Sequence, residues 1–273
     1  RAATRAFRNA WTSRCAALDA RHWTSTSEFR VRVHAPSLPC LGVAKCPFLR
    51  VMQGELGEIR VIGVRVRWCR PQRYYDMAAW RGTLSHDGGA LTNQGIHHVD
   101  LLRYLGGEVH QVNATMRTLG ANIEVEDTIV SSFTYENKAV GSLEVTTAAR
   151  PDDFEASISI IGSKGLAQIG GIAVNELQIF TPDPDACTQY SEDFSDCVYG
   201  NGHKLLYKDI YNCMISDTPY SVSQQDCLQS IRLLHAFYRS DEKNDWQEVD
   251  EDGESIRLGR KNDEISNLYR TIK

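Results

Sequence analysis

No run of about 18 apolar residues occurs in this sequence of 273 residues, so no membrane-spanning helix is predicted. Its eight cysteines, at positions 15, 40, 46, 69, 187, 197, 213 and 227, include no C-x-x-C pair, which leaves zinc ribbons and thioredoxin-like chemistry without their spacing. No G-x-G-x-x-G loop occurs, so the motif that seats a dinucleotide pyrophosphate on a helix N-terminus is missing. Nor is there an excess of positive charge. With 30 Lys and Arg against 35 Asp and Glu, the net charge is −5, which argues against nucleic acid and anionic membranes as partners. The opening "RAATRAFRNAWTSR" lacks acids, as transit peptides do, but no secretory apolar core follows it. Free, buried thiols in a cytoplasmic protein are therefore expected.

What is present is ordinary for a globular chain: 42% hydrophobic and 24% charged residues, enough for one large domain or two modest ones. Residues 1–52 show no consistent folding plan. "RCAALDARHW" reads as a short helix and "EFRVRVHA" as a strand, but three prolines break "APSLPCLGVAKCPF". From Gly54 the pattern changes. In "EIRVIGVRVRWC", Val64, Val66 and Trp68 face one way and Arg65 and Arg67 the other. "HQVNATMRT", "DTIVSSFTY", "AVGSLEVTTAA", "FEASISIIG", "GLAQIG" and "NELQIFT" are further short strands, with "YENKAV" a hairpin turn. Helices are predicted over 95–104, ending at Gly106-Gly107, and over 204–216 and 223–239. The pattern predicts an α+β domain, a large, mostly antiparallel open sheet with helices on one face. The other face, alternating Thr, Ser, Glu and Arg with apolar residues, suits a second subunit.

The densest chemistry lies in "HDGGALTNQGIHHVDLLRYLGGEV", residues 86–109. On a helix, Asn93, His97, Asp100 and Tyr104 share one stripe, while Ile96, Val99, Leu102 and Leu105 read as core. Asn93 sits at the helix mouth, and the glycines around it permit close backbone approach. A carboxamide beside a neutral imidazole suits polyol chemistry, since Asn orients hydroxyls and His accepts a proton near pH 7. The same spacing also describes a local His–Asp hydrogen-bonded pair. The adjacent His97 and His98 point apart, which disfavours a metal. Upstream, "RPQRYYDMAAWRG" supplies Arg70, Arg73, Tyr74, Tyr75, Trp80 and Arg81, either a phosphate- and base-binding loop or a solvated one. His203, at a helix start, reads as a substrate contact or a cap. The acidic run "DEKNDWQEVDEDGE" reads as a solvated turn, and the charged tail from Arg257 as an aid to oligomer contact.

These stretches together, "GELGEI", "GGALTNQGIHHVDLLRYLGG", "VEDTIVSSFTYENKAVGSLEVTT" and "SISIIGSKGLAQI", resemble the Gfo/Idh/MocA family of NAD(P)-dependent oxidoreductases. The resemblance covers residues 53–273, the family's substrate-binding and oligomerisation domain, of dihydrodipicolinate-reductase-like fold. Within the family, the stretch from Arg67 to Leu102 is most similar to the UDP-N-acetyl-hexosamine(uronate) 3-dehydrogenases of surface-polysaccharide synthesis. The resemblance implies that NAD or NADP takes a hydride from a ring carbon, His97 is the general acid/base and Asn93 orients the hydroxyl. Arg73, Tyr74, Tyr75, Trp80, Arg81 and His203 would then hold the nucleotide sugar, with His98 a neighbour rather than the base. The family's glycine loop and its Glu-Lys-Pro signature are absent, and Lys45 lies too close to Asn93 to replace the latter's lysine. Residues 1–52 are thus expected to be an aberrant or truncated remnant in place of the Rossmann domain, through a displaced start or domain loss, and this chain alone is expected not to bind NAD tightly. Three functions follow from the resemblance: a nucleotide-sugar dehydrogenase, another sugar or polyol dehydrogenase of inositol type, and a non-catalytic, sugar-binding or oligomerising remnant.

Overall fold

The computed structural model describes residues 47–191, 202–220, 222–250 and 252–269. The elements expected within residues 1–46 lie outside the described residues. Alternation builds the sheet. In β1 (Ile59–Arg67), Ile62, Val64 and Val66 are buried, while Val61 and Arg65 face out. β2 (Val109–Arg117), β3 (Thr128–Tyr135), β4 (Val140–Thr146) and β5 (Glu155–Gly162) alternate in the same way, and β6 (Leu166–Gly170), β7 (Glu176–Phe180) and the short β8 (Gln247–Glu248) complete the set. The eight strands lie in the order β7-β6-β5-β1-β4-β3-β2-β8. β1 and β4 run parallel, and every other neighbouring pair in this sheet is antiparallel. The β3–β4 hairpin turns at Asn137-Lys138 as expected, with Lys138 in the left-handed region (φ 69).

Helices cover one face. The helix Gln224–Lys243 starts where Ser223 accepts a hydrogen bond from the Asp226 N–H and stops at the left-handed Asn244. It buries Leu233, Leu234, Ala236, Phe237 and Tyr238. The helix Ile96–Gly106 buries Val99, Leu102 and Leu105 beside it. Arg103 crosses the seam between these two helices to reach Asp226 and Ser230. Burying each large apolar side chain here contributes about 1.5–3 kcal/mol. The helix Pro47–Met52, ahead of the boundary expected at residue 52, puts Phe48 and Val51 into the same core. Arg50 anchors it to Glu55 and Asp183 and lies over the Phe180 ring.

The other face is open. One row across β5, β1 and β4 is apolar: Ile161, Val61 and Val140. The next is small: Ser159, Gly63 and Ser142, continued by Ser132. Beyond it, Arg67 pairs with Glu144 and Glu155. The cysteines depart from expectation. Cys69, Cys187 and Cys213 are only half-buried and Cys227 is exposed, all with free thiols, because they sit in a loop and on helix surfaces rather than on inward strand positions. In the charged tail, Arg257 pairs with Asp241 and Glu242, and Leu258 packs against the core of its own chain.

Candidate substrate site

The connection from β1 to β2 carries the residues of interest, and two glycines shape it. Gly88 (φ 77) and Gly89 (φ 87) are left-handed, and a Cβ on Gly89 would stand 2.1 Å from the Glu126 carboxyl. They turn the chain into the short helix Gly89–Asn93. Glu126 holds its first turn, the backbone carbonyl accepting from the Ala90 N–H at 2.9 Å and the carboxyl accepting from the Leu91 N–H at 3.0 Å. From the covering helix, the Tyr238 hydroxyl meets the Gly88 carbonyl and the Glu126 carboxyl.

Asn93 ends this helix and donates its side-chain amide to Asp87, whose other oxygen accepts the Gly82 N–H at 2.6 Å. A carboxylate only accepts, so the NH2 must face Asp87. That leaves the carboxamide oxygen turned the other way, toward any hydroxyl that approaches.

The single helical stripe expected through Asn93 is interrupted. Asn93 closes one helix and Ile96 opens the next, joined by Gln94 (φ −84) and Gly95 (φ −82). Gly95 marks the tight point, where a Cβ would stand 2.8 Å from the Leu91 carbonyl oxygen. Both linking residues remain in the right-handed helical region, so Asn93 and His97 still follow one another along a nearly helical path. His97 is exposed. Asp100 leaves the stripe's chemistry: it accepts from the Ser230 hydroxyl at 2.7 Å and so ties the helix to its neighbour. Tyr104 is half-buried against the core.

His98 is a core residue, 3% exposed, edge-on to Trp68 with ring centroids 6.0 Å apart. Among the described residues, neither ring nitrogen meets a hydrogen-bond partner in good geometry. Burial, reinforced by the neighbouring His97, pushes its pKa down to about 3, so the ring is neutral at physiological pH.

The upstream loop divides its residues. Tyr74, Trp80 and Arg81 come together, the Arg81 guanidinium lying 4.2 Å from the Tyr74 ring centroid and 4.6 Å from that of Trp80. Arg81 makes no ion pair with any described carboxylate, and its buried Nε has no partner. Gln94 donates to the Tyr74 hydroxyl at 3.3 Å, which links this cluster to the residue next to Asn93. Tyr75 turns inward instead. It is 6% exposed, with its hydroxyl 2.9 Å from that of Thr147, so it cannot stack on a ligand. Arg70 is committed to Asp153. Arg73 is exposed and apart from the cluster's contacts. The side chain of His203, on the helix Gly202–Ser216, lies outside the described residues.

Sequence reasoning passed over Asp87, Gln94, Glu126 and Tyr238. The first two flank the glycines of a stretch already singled out. Glu126 and Tyr238 give no local signal, because only the fold brings them under the turn. Among the described residues there is no strand–glycine loop–helix unit of the kind that cradles a dinucleotide pyrophosphate.

The family model for the GFO/IDH/MocA C-terminal domain matches residues 50–168. No curated protein matches the sequence. Among solved structures, the chain is 39% identical to the WlbA dehydrogenase from Bordetella pertussis in complex with NADH and UDP-GlcNAcA, over 75% of this chain and 60% of that one, with a TM-score of 0.69. It is likewise 39% identical to the Chromobacterium violaceum WlbA dehydrogenase in complex with the same two ligands, over 74% and 58% of the chains, TM-score 0.67. A levoglucosan dehydrogenase, 21% identical over 81% and 65%, shares the fold with a TM-score of 0.63. The chain thus spans about 60% of the length of the first two proteins.

Proposed function

The chain belongs to the Gfo/Idh/MocA family through the C-terminal domain it carries, and from that premise we propose that it forms the substrate side of an NAD-dependent dehydrogenase acting on the 3-hydroxyl of a UDP-N-acetyl-hexosamine or its uronate. NAD supplies a hydride acceptor in such a reaction. The roles proposed for this chain's own residues lie on the sugar side, since its described part lacks a pyrophosphate cradle. His97 takes the proton of the sugar hydroxyl, and Asn93, fixed by Asp87, orients that hydroxyl. Arg81, stacked on Tyr74 and Trp80, meets the diphosphate or the uronate carboxylate. Arg73 and His203 are proposed as outer contacts of the same ligand. The enzyme acts in the cytoplasm in surface-polysaccharide synthesis. A second copy of the chain covers the open sheet face, whose central row of Gly63 and serines lets two sheets approach closely.

The observation that carries this reading is the Arg81 guanidinium, stacked, without a carboxylate partner among the described residues, and joined through Tyr74 to Gln94, the residue beside Asn93. It favours an anionic nucleotide sugar over an uncharged polyol. Calorimetric titration with UDP-N-acetylglucosaminuronate tests it. Binding is expected, and Arg81→Ala should weaken it at least about tenfold, the worth of one charged hydrogen bond at ~1.5–3 kcal/mol. Tighter binding of inositol than of the nucleotide sugar would overturn the reading. With a family cofactor domain grafted ahead of residue 53, His97→Ala should cost ~10²–10⁴-fold in turnover, with little change in affinity.

A further inference from the structure

The Gly88-Gly89 turn poses a problem of proton count. Tyr238 Oη lies 2.9 and 3.0 Å from the two carboxyl oxygens of Glu126, 3.2 Å from the Thr92 hydroxyl, and against the Gly88 carbonyl. A phenol has one proton to give. The Gly88 carbonyl and an ionised Glu126 can both only accept, so one proton cannot serve both, and given to the carbonyl it is lost to the carboxylate. An ionised Glu126 would then set both its oxygens against the phenol oxygen, acceptor against acceptor, at a residue 6% exposed. A neutral carboxylic acid resolves the count. Its Oε2–H donates to Tyr238 Oη, the Tyr238 O–H donates to the Gly88 carbonyl, and Oε1 keeps the Leu91 N–H.

We propose that Glu126 is a positioning residue that holds the Asn93 turn as a neutral carboxylic acid, donating its proton to Tyr238. The proposal rests on the reading of Asn93 as a substrate residue. The surroundings agree with it. The helix Gly89–Asn93 carries no titratable side chain. Tyr238, from the covering helix, is itself driven further toward its neutral form by burial. Arg257, from the C-terminal segment, is the facing cation, but Asp241 at 2.6 Å and Glu242 at 3.3 Å already engage it. Burial lifts the Glu126 carboxyl to about 8, against the pull of the Leu91 N–H hydrogen bond.

Two measurements on the chain decide the matter. Infrared difference spectra between wild type and Glu126→Gln should contain a protonated-carboxyl band that is present at about pH 7 and fades near pH 8. Amide exchange at Ala90 and Leu91 reports the turn. If opening exposes a carboxyl that then ionises, opening grows easier by up to about tenfold per pH unit and levels off above about 8. Glu126→Gln, which keeps the shape and an acceptor for Leu91, should stay protected and lose that slope. Absence of the band at acid pH, or the same slope in both proteins, overturns the proposal. A chain that shows both signatures yet has no affinity for UDP-N-acetylglucosaminuronate confirms the role of Glu126 in the turn and removes the substrate role of Asn93.

Discussion

Glu126 and Glu144 lie on opposite sides of one sheet, and the chain pushes their carboxyls in opposite directions. On the helix side, burial raises Glu126 to about 8. On the open side, a hydrogen bond from Arg67 holds Glu144 below the usual carboxylate range, against a smaller opposing effect of burial. The difference follows from what each face packs against. Helices exclude water and leave Glu126 a phenol and backbone groups. The open face is wet enough for an arginine to reach Glu144 and Glu155 together. The helix side is therefore where stability and the geometry of the Asn93 turn reside. The open face tolerates charge and small residues because water still reaches them.

Truncating one apolar side chain on each side sharpens that contrast most. Phe237 is wholly buried under the sheet, so Phe237→Ala should cost about 3–5 kcal/mol through lost burial and the cavity it leaves. Val130, 56% exposed on the open face, should cost no more than about 0.5 kcal/mol as Val130→Ala. Urea unfolding measures both. A Val130 loss approaching that of Phe237 would mean the open face is covered in solution, and the loss should then grow with protein concentration.

The pH profile comes next. Glu126 has its folded pKa raised from 4.5 to about 8, so its contribution is complete below about 4.5 and is lost as the pH rises toward 8. His98 has its folded pKa lowered from 6.5 to about 3, so its contribution is complete above about 6.5 and is lost as the pH falls toward 3. Between about 4.5 and 6.5 the two slopes oppose and cancel. Stability should thus be flat there and fall on both sides, by about 2 kcal/mol at most on each limb, since each spans only about 1.5 pH units at ~1.4 kcal/mol per unit. Glu126→Gln should remove the alkaline limb and extend the acid limb up to about 6.5, and a non-titrating replacement, His98→Phe, should remove the acid limb and extend the alkaline limb down to about 4.5. A single variant that flattened both limbs would show that these groups do not set the profile.

The sheet and its covering helices were legible in the sequence because each strand carries its own record, one face apolar and the next polar, as in Val64, Arg65 and Val66. The start of the helix Gln224–Lys243 was legible at Ser223, but its end was expected at Arg239, because the charged residues Asp241, Glu242 and Lys243 read as part of a solvated turn. The candidate site was legible only where its proposed chemistry is contiguous. Asn93 and His97 are four residues apart, and Tyr74, Trp80 and Arg81 share one short loop. Tyr75 shows where that reasoning fails: an aromatic beside Tyr74 looks equivalent in sequence, yet the fold points it at Thr147. Glu126 and Tyr238 were invisible for the complementary reason. Each looks ordinary in its own segment, and the meaning of each lies in a hydrogen bond to a distant one.

The smallest effect probes the open face most sensitively. Arg67 is bonded to Glu144 at 2.6 Å and reaches Glu155 at 3.1 Å, with all three side chains partly exposed. A paired arginine in that setting gains little, since water already screens the charges and the long side chain loses freedom on pairing. For an isolated chain, Arg67→Ala should therefore cost about 0–1 kcal/mol, and less in high salt as the Debye length shrinks. The sign of the pH dependence is fixed as well. Glu144 is depressed in the folded state, so the benefit of the pair exists above the ordinary carboxylate range and fades as the pH falls through it. If a second copy covers this face, water is excluded from the same three groups. Removing Arg67 then strands two carboxylates in a dry interface, the cost rises by several-fold, and added salt no longer relieves it. Measuring Arg67→Ala at two salt concentrations and two protein concentrations separates these cases. A small, salt-sensitive loss that does not change with protein concentration would leave the open face bare and remove the second copy from the proposed assembly.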